Sequence, residues 1–161
     1  MLTKKLATLM CLLSGQRAQS IGALKTDYCH RAQNSYNTFY ISTMLKTSRS
    51  GKHQERLQFE KFNLDDRIYI VSCLDEYLKR TDFIRENLEN QPKELLLSYT
   101  YPHKPIGVPT ISRYVKIFLG MAGIDIKTFS AHSTRSASTS KANDIGVCTN
   151  EDDCEGRWME S

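Results

Sequence analysis

The chain lacks any run of some twenty apolar residues, so it offers no helix long enough to span a membrane. Its start, Met1-Leu2-Thr3-Lys4-Lys5-Leu6, has only a short apolar run with no small-residue cleavage site after it, and it reads as an amphipathic helix rather than a signal peptide. There is no internal repeat and no low-complexity linker. The five cysteines (Cys11, Cys29, Cys73, Cys148, Cys154) are odd in number and show no metal-ligand spacing. That excludes a disulfide framework and a zinc site, and it points to a reducing compartment. Cys11 and Cys73 fall on apolar helix faces and read as buried thiols. Tryptophan occurs once, at Trp158, and none of the eight tyrosines follows Tyr114.

What is there is ordinary in bulk and uneven in charge. A 161-residue chain with 40% hydrophobic and 25% charged residues can build one domain with a real core. The net charge of +4 hides two parts. From Glu151 onward five acidic residues face one basic residue, Arg157, so residues 1–150 hold 21 basic against 13 acidic, a net of +8. Charge alone reads first as a soluble, mildly basic domain, and next as a surface for a polyanion such as DNA.

Hydrophobic spacing places the elements. Leu2, Leu6, Leu9, Met10 and Leu13 give the first helix one apolar face. Gly15 ends it, and Arg17 follows in a tight connection. Ile21 to His30 reads as a short helix plus loop. Tyr36 to Leu45 reads as a strand, residues 48–52 as a turn, and Arg56 to Phe59 as the returning strand of a β-hairpin with Lys46 near its tip. Ile70, Cys73, Leu74, Tyr77 and Leu78 form the next helical stripe, with Asp65 and Asp66 before it. Residues 81–94 read as solvated, and Leu95 to Tyr99 as a short buried strand. Tyr101 to Pro109 is a loop. Thr110 is placed to cap a helix with the stripe Ile111, Tyr114, Val115, Phe118 and Leu119, closed by Gly120 and Gly123. A last helix begins near Ser130 and carries His132 and Arg135.

His132-Ser133-Thr134-Arg135 is the most informative stretch. An imidazole and a guanidinium three residues apart share one helix face. Together they offer a proton relay and a planar, always-charged phosphate fork. Upstream, Arg17 follows an apolar helix, and Lys46 follows a strand. Each has a plainer reading: Arg17 as a solvated residue at a helix end, Arg135 as a helix-surface arginine, His132 as an ordinary surface or core histidine, Lys46 as a solvent or phosphate contact. Lys52 rivals Lys46 for the hairpin position.

Arg, Lys, then His-x-x-Arg, in that order, resembles the catalytic domain of tyrosine recombinases, with wording closest to those of eukaryotic mobile elements. The resemblance covers roughly residues 2 to 147. It implies a mostly helical α+β fold, with helices around a small antiparallel β-hairpin sheet, the catalytic core of a DNA breaking-rejoining enzyme. It implies DNA recombination or integration through a 3′-phosphotyrosyl intermediate, with DNA and other recombinase subunits as partners. No cofactor, metal, membrane or small-molecule substrate is implied, and the expected location is nuclear or otherwise intracellular. Arg17 and Arg135 would clamp the scissile phosphate, Lys46 would protonate the leaving oxygen, and His132 would assist the nucleophile. Arg49 and Lys52 would contact DNA.

The chain departs from that pattern near Gly146-Val147. The family's nucleophilic tyrosine and the His or Trp before it should follow, and no tyrosine does. Reading Trp158-Met159-Glu160 displaced by one nucleotide forces Gly-Trp, the family's phrase, so residues 148–161 are expected to be out-of-frame sequence forming an aberrant, disordered acidic tail. A partial catalytic domain over 1–147, truncated at both ends and inactive as encoded, is the expectation. The alternative is a catalytically inactive DNA-binding remnant.

Overall fold

A computed structural model of the chain describes residues 2–32, 36–43, 56–60, 69–130, 133, 136–137, 140 and 144. Helix α1 (Leu2–Ser14) runs through the middle of the molecule. It packs between α3 (Ile70–Asn87) on one side and α4 (Val108–Met121) on the other. The short α2 (Ala18–Gly22) lies against α4. Strands β1 (Cys29–Ala32), β2 (Tyr36–Tyr40) and β3 (Arg56–Glu60) form an antiparallel sheet in that order, and β3 meets α3. The architecture is therefore the mostly helical α+β one that the sequence implied.

The periodic apolar residues explain these contacts. Leu6, Met10, Leu74, Leu78 and Ile111 are fully or almost fully buried in one core. Each such side chain contributes roughly 1.5–3 kcal/mol by leaving water. The buried residues of α1 are Thr3, Leu6, Ala7, Thr8, Met10 and Cys11, while Leu13 is exposed. The stripe is thus rotated toward the smaller residues, because a helix sandwiched between two others needs short side chains on its flanks. Cys11 and Cys73 are buried, as expected. The sheet turns Phe39 and Phe59 inward, their rings edge to face at 6.2 Å.

Several expected boundaries move. Strand β2 stops at Tyr40, and Ile41 and Ser42 are already outside it; Met44 and Leu45 lie outside the described residues. The segment read as helix plus loop contains α2, a 3₁₀ turn at Thr26–Tyr28, and then β1, a strand the alternation did not reveal. Leu95, Leu96 and Leu97 are buried as expected, yet they make only isolated bridges, Glu94 to Lys25 and Leu97 to Pro105. Thr110 lies inside α4. The cap is Gly107, because Pro109 in the first turn lacks the N–H a helix start leaves unpaired. Gly123, at φ +79, and Ile124 close α4 through bonds to the carbonyls of Gly120 and Leu119.

The largest correction concerns residues 81–94. Helix α3 continues to Asn87, and Thr81 and Arg85 are buried. The Arg85 guanidinium donates to the carbonyls of Pro92 (2.7 Å), Glu94 (2.8 Å) and Leu95 (2.6 Å). A charged residue reads as solvated in sequence, but a planar fork can satisfy a turn's carbonyls from inside. Tyr77 holds the same segment in the opposite sense, its hydroxyl oxygen accepting the Leu97 amide at 2.7 Å.

Candidate functional site

Arg17 is the one expected site residue among those described. Gly15, at φ +60, turns the chain sharply at the end of α1 in a conformation glycine adopts without strain. The Ser14 hydroxyl then receives the Gln16 amide at 3.2 Å, and the Ser20 hydroxyl donates to the Gln16 side-chain oxygen at 3.2 Å. Arg17 is the N-cap of α2 with extended backbone, and its carbonyl accepts from Ser20 (2.9 Å) and Ile21 (3.2 Å). The backbone is fixed on both sides while the side chain is exposed. No described carboxylate bridges its guanidinium. A rigidly mounted arginine bridged by no described carboxylate is suited to an external anion.

The flank of α2 is tied down from below. The Thr26 amide donates to the Lys93 carbonyl and the Leu95 amide to the Leu24 carbonyl, each at 2.8 Å. Lys93 pairs with Asp27, and that hydrogen-bonded contact raises the lysine's pKa. Since Arg85 holds the carbonyls of residues 92, 94 and 95, one buried cation braces the connection that follows Arg17's helix. Sequence reading missed this brace; the signal for it was an arginine at the end of the apolar stripe, eight residues after Tyr77.

Beside α2 lies a cleft of about 360 Å³ lined by Gln19, Gly22, Ala23, Lys25, Thr43, Glu94 and Val108. Thr43 is the last described residue before Lys46, so the root of the β2–β3 connection lies against the helix that Arg17 caps. Lys46, Arg49 and Lys52 lie outside the described residues.

His132 and Arg135 lie outside them too, although their approach is described. The Asp125 carboxylate accepts the Thr128 hydroxyl at 2.6 Å and the Lys127 amide at 2.9 Å, and these bonds, the hydroxyl first, hold its pKa below the usual carboxylate range. The Ser130 amide donates to the Ser133 hydroxyl oxygen at 3.1 Å, and the Ser133 amide to the Ser130 carbonyl at 3.0 Å. Ser133, Ser136, Ala137, Ser140 and Asp144 are helical, and the other residues of the helix expected from near Ser130 lie outside the described residues. The expected tail, residues 148–161, is outside the described residues. Tyr114, the last tyrosine, is buried on α4 at 4% exposure, packed as its stripe implied. Among the described residues no cluster of three or more His, Cys, Asp or Glu could hold a metal, and no helix is long and apolar enough to cross a membrane.

Neither a protein-family model nor a curated protein sequence matches the chain. Solved structures do. The XerH site-specific recombinase in a pre-cleavage complex with its difH substrate superposes with a TM-score of 0.64 at 14% identity, over 90% of this chain and 36% of that one. A lambda integrase tetramer bound to a Holliday junction superposes with a TM-score of 0.52 at 15% identity, over 90% of this chain and 38% of that one. The chain thus spans little more than a third of the length of each. At such identities the likeness speaks to architecture, and with the helices and sheet above it leads to one conclusion: this chain has the fold of a tyrosine-recombinase catalytic domain.

Proposed function

We propose that this domain binds DNA and belongs to the chemistry of strand breaking and rejoining, with Arg17, Lys46, His132 and Arg135 gathered around one backbone phosphate. The observation that carries the reading is the mounting of Arg17: an exposed guanidinium bridged by no described carboxylate, at a fixed N-cap two residues after an αL glycine, in a recombinase catalytic-domain fold. Breaking a phosphodiester without metal requires donors aimed at the non-bridging oxygens, where charge accumulates in the transition state. Arg17 and Arg135 supply the planar forks, and Lys46 the proton for the leaving oxygen. Arg49 and Lys52 add backbone contacts that fix position without reading sequence. The target would be duplex DNA, and further subunits of the same kind would complete a recombining assembly. The resemblance in wording to mobile-element enzymes makes DNA integration in a nucleus the setting.

A second reading keeps the binding and drops the chemistry. The 161-residue chain has no tyrosine after Tyr114, and Tyr114 itself is buried. Forks can stabilise a transition state only when a nucleophile reaches phosphorus in line. Two experiments on the 161-residue chain decide. Retention on duplex DNA should fall steeply with salt, and Arg17→Ala should weaken it more than Arg113→Ala; salt-independent retention would refute both readings. On a nicked suicide substrate no covalent adduct should form. An adduct would show that an upstream tyrosine attacks and would overturn the second reading.

A further inference from the structure

Arginine is a poor residue for the place Arg17 occupies. An N-cap ordinarily offers a side-chain oxygen to the amides of the first helical turn, as Ser, Thr, Asp and Asn do. A guanidinium carries donors only, so it has no oxygen to offer. Arg17 accordingly makes no side-chain cap to α2. It also follows closely on Gly15, which keeps more backbone freedom than any other residue type and sits at φ +60. Left to themselves, an uncapped helix start and a glycine would make a hinge at the candidate phosphate site.

The neighbouring side chains prevent that. The Ser14 hydroxyl donates to the carbonyl of Met10 and receives the Gln16 amide, so one group joins the last turn of α1 to the residue before Arg17. From the other side, the Ser20 hydroxyl donates to the Gln16 side-chain oxygen at 3.2 Å, and the Ser20 amide donates to the Arg17 carbonyl at 2.9 Å. Met10 and Ser20 are buried and Gln16 is half-buried, so the clasp is rooted in the core and partly sheltered from competing water. Gln16 is gripped at its amide by α1 and at its side chain by α2.

We propose that Gln16, clasped between Ser14 and Ser20, is the positioning residue of Arg17 and sets the direction from which its guanidinium meets a DNA phosphate. The inference rests on the function proposed above and deepens it. A planar fork binds two phosphate oxygens at once only within a narrow range of angles. A rotation at residue 16 is magnified along the arginine side chain, and a misplacement of about 1 Å at a binding group is enough to weaken it. Gln16 acts through Arg17, since its own side-chain oxygen is taken by Ser20. The clasp replaces the cap that an arginine cannot make, and so leaves all five guanidinium N–H donors for the ligand.

The test is a double-mutant cycle on the full chain, read by fluorescence anisotropy with a labelled DNA duplex. Ser20→Ala and Gln16→Met each remove the side-chain bond. Gln16→Met changes a half-buried residue and carries the test if Ser20→Ala does not fold. Each should weaken duplex binding roughly two- to tenfold, the fold-change that corresponds to one neutral hydrogen bond. In an Arg17→Ala background neither should weaken it further, because a positioning residue acts only through the group it positions. NMR relaxation of the free chain gives a second readout. The order parameter of the Arg17 amide should fall from the rigid value of about 0.85 toward about 0.6 in both variants. Equal losses in the parent and Arg17→Ala backgrounds would overturn the proposal, since Gln16 or Ser20 would then touch DNA itself or hold the domain together at large. So would parent-like duplex binding, or an Arg17 amide that stays rigid. Arg17→Ala separates the two ideas. If it leaves duplex binding intact, the phosphate-site reading fails, while the order parameter still judges the clasp on its own.

Discussion

Replacing Arg85 by lysine should destabilise the domain far more than an arginine-to-lysine exchange on a surface. The residue is 8% exposed, and its guanidinium reaches three carbonyls at once, those of Pro92, Glu94 and Leu95. A hydrogen bond from a charged donor contributes about 1.5–3 kcal/mol, and an orphaned buried acceptor costs a similar amount. An ammonium is a point donor on a flexible stem and would keep one of the three partners well. Allowing for non-additivity, the loss should be about 2–4 kcal/mol, against a typical domain stability of roughly 5–15 kcal/mol. At about 2–4 °C per kcal/mol for a chain of this size, the melting temperature should fall by roughly 4–16 °C. Burial pulls the Arg85 pKa down, opposed by its contact with Tyr77 and by the Asp82 carboxylate, so the lysine variant would also be the easier group to neutralise in place. Urea denaturation followed by circular dichroism measures the stability, and hydrogen exchange locates the loss. The Leu95 amide, bonded to Leu24, and the Thr26 amide, bonded to Lys93, should exchange faster in the variant. A variant within about 0.5 kcal/mol of the parent, with those amides still protected, would refute the view that this cation braces the flank of α2.

Other consequences follow from single contacts. Tyr77→Phe removes the acceptor of the buried Leu97 amide and should cost about 1–3 kcal/mol in urea denaturation, while leaving DNA retention intact. Burial pushes the Cys11 thiol up to about 11, from an ordinary value of 9.0. Between those values the folded chain holds a proton that the unfolded chain has released, so the stabilisation is full below the ordinary value and is lost as pH rises through the folded one. The loss should be about 2–3 kcal/mol, and Cys11→Ala should flatten that part of the stability profile; an unchanged slope would show that the thiol is not sequestered. Gly22→Val would press its added methyl groups toward the Ile111 and Val108 side chains, where even a Cβ comes within 3.3 Å and 3.5 Å, so duplex retention should weaken as α2 shifts on α4.

What could be read from the sequence followed from one kind of signal, and what could not followed from another. Apolar spacing revealed α1, α3 and α4 and the β2–β3 pairing, because burial of a stripe at helical or strand period is a local property of the chain. Tyr114 packs as its stripe implied for the same reason. Strand β1 stayed hidden because Cys29-His30-Arg31-Ala32 has no apolar alternation; it is held by pairing to β2, a partner the local pattern does not name. Leu95 to Leu97 read as a strand since they are buried and apolar, yet their backbone bonds go to a turn and two bridges. Arg85 was misread because charge predicts exposure only when no set of carbonyls needs a donor, and that need arises from the turn at residues 92–95, not from the helix.

The same distinction applies to the site. The placement of Arg17 was legible because three local facts coincide there: an apolar helix, a glycine at its end, and an arginine two residues on. The structure adds why the position is useful. The cap leaves the backbone committed to Ser20 and Ile21, and the guanidinium uncommitted to any described carboxylate. A phosphate-binding arginine needs both properties at once, since backbone freedom lost in advance is not lost again on binding. Arg85 has the opposite arrangement, with every fork spent on its own chain. Two arginines in one domain, one turned inward to fix a loop and one left outward on the element that loop supports, would divide positioning from binding under the function proposed for Arg17. That division is why a change at Arg85, buried and far along the sequence, should be felt at Arg17.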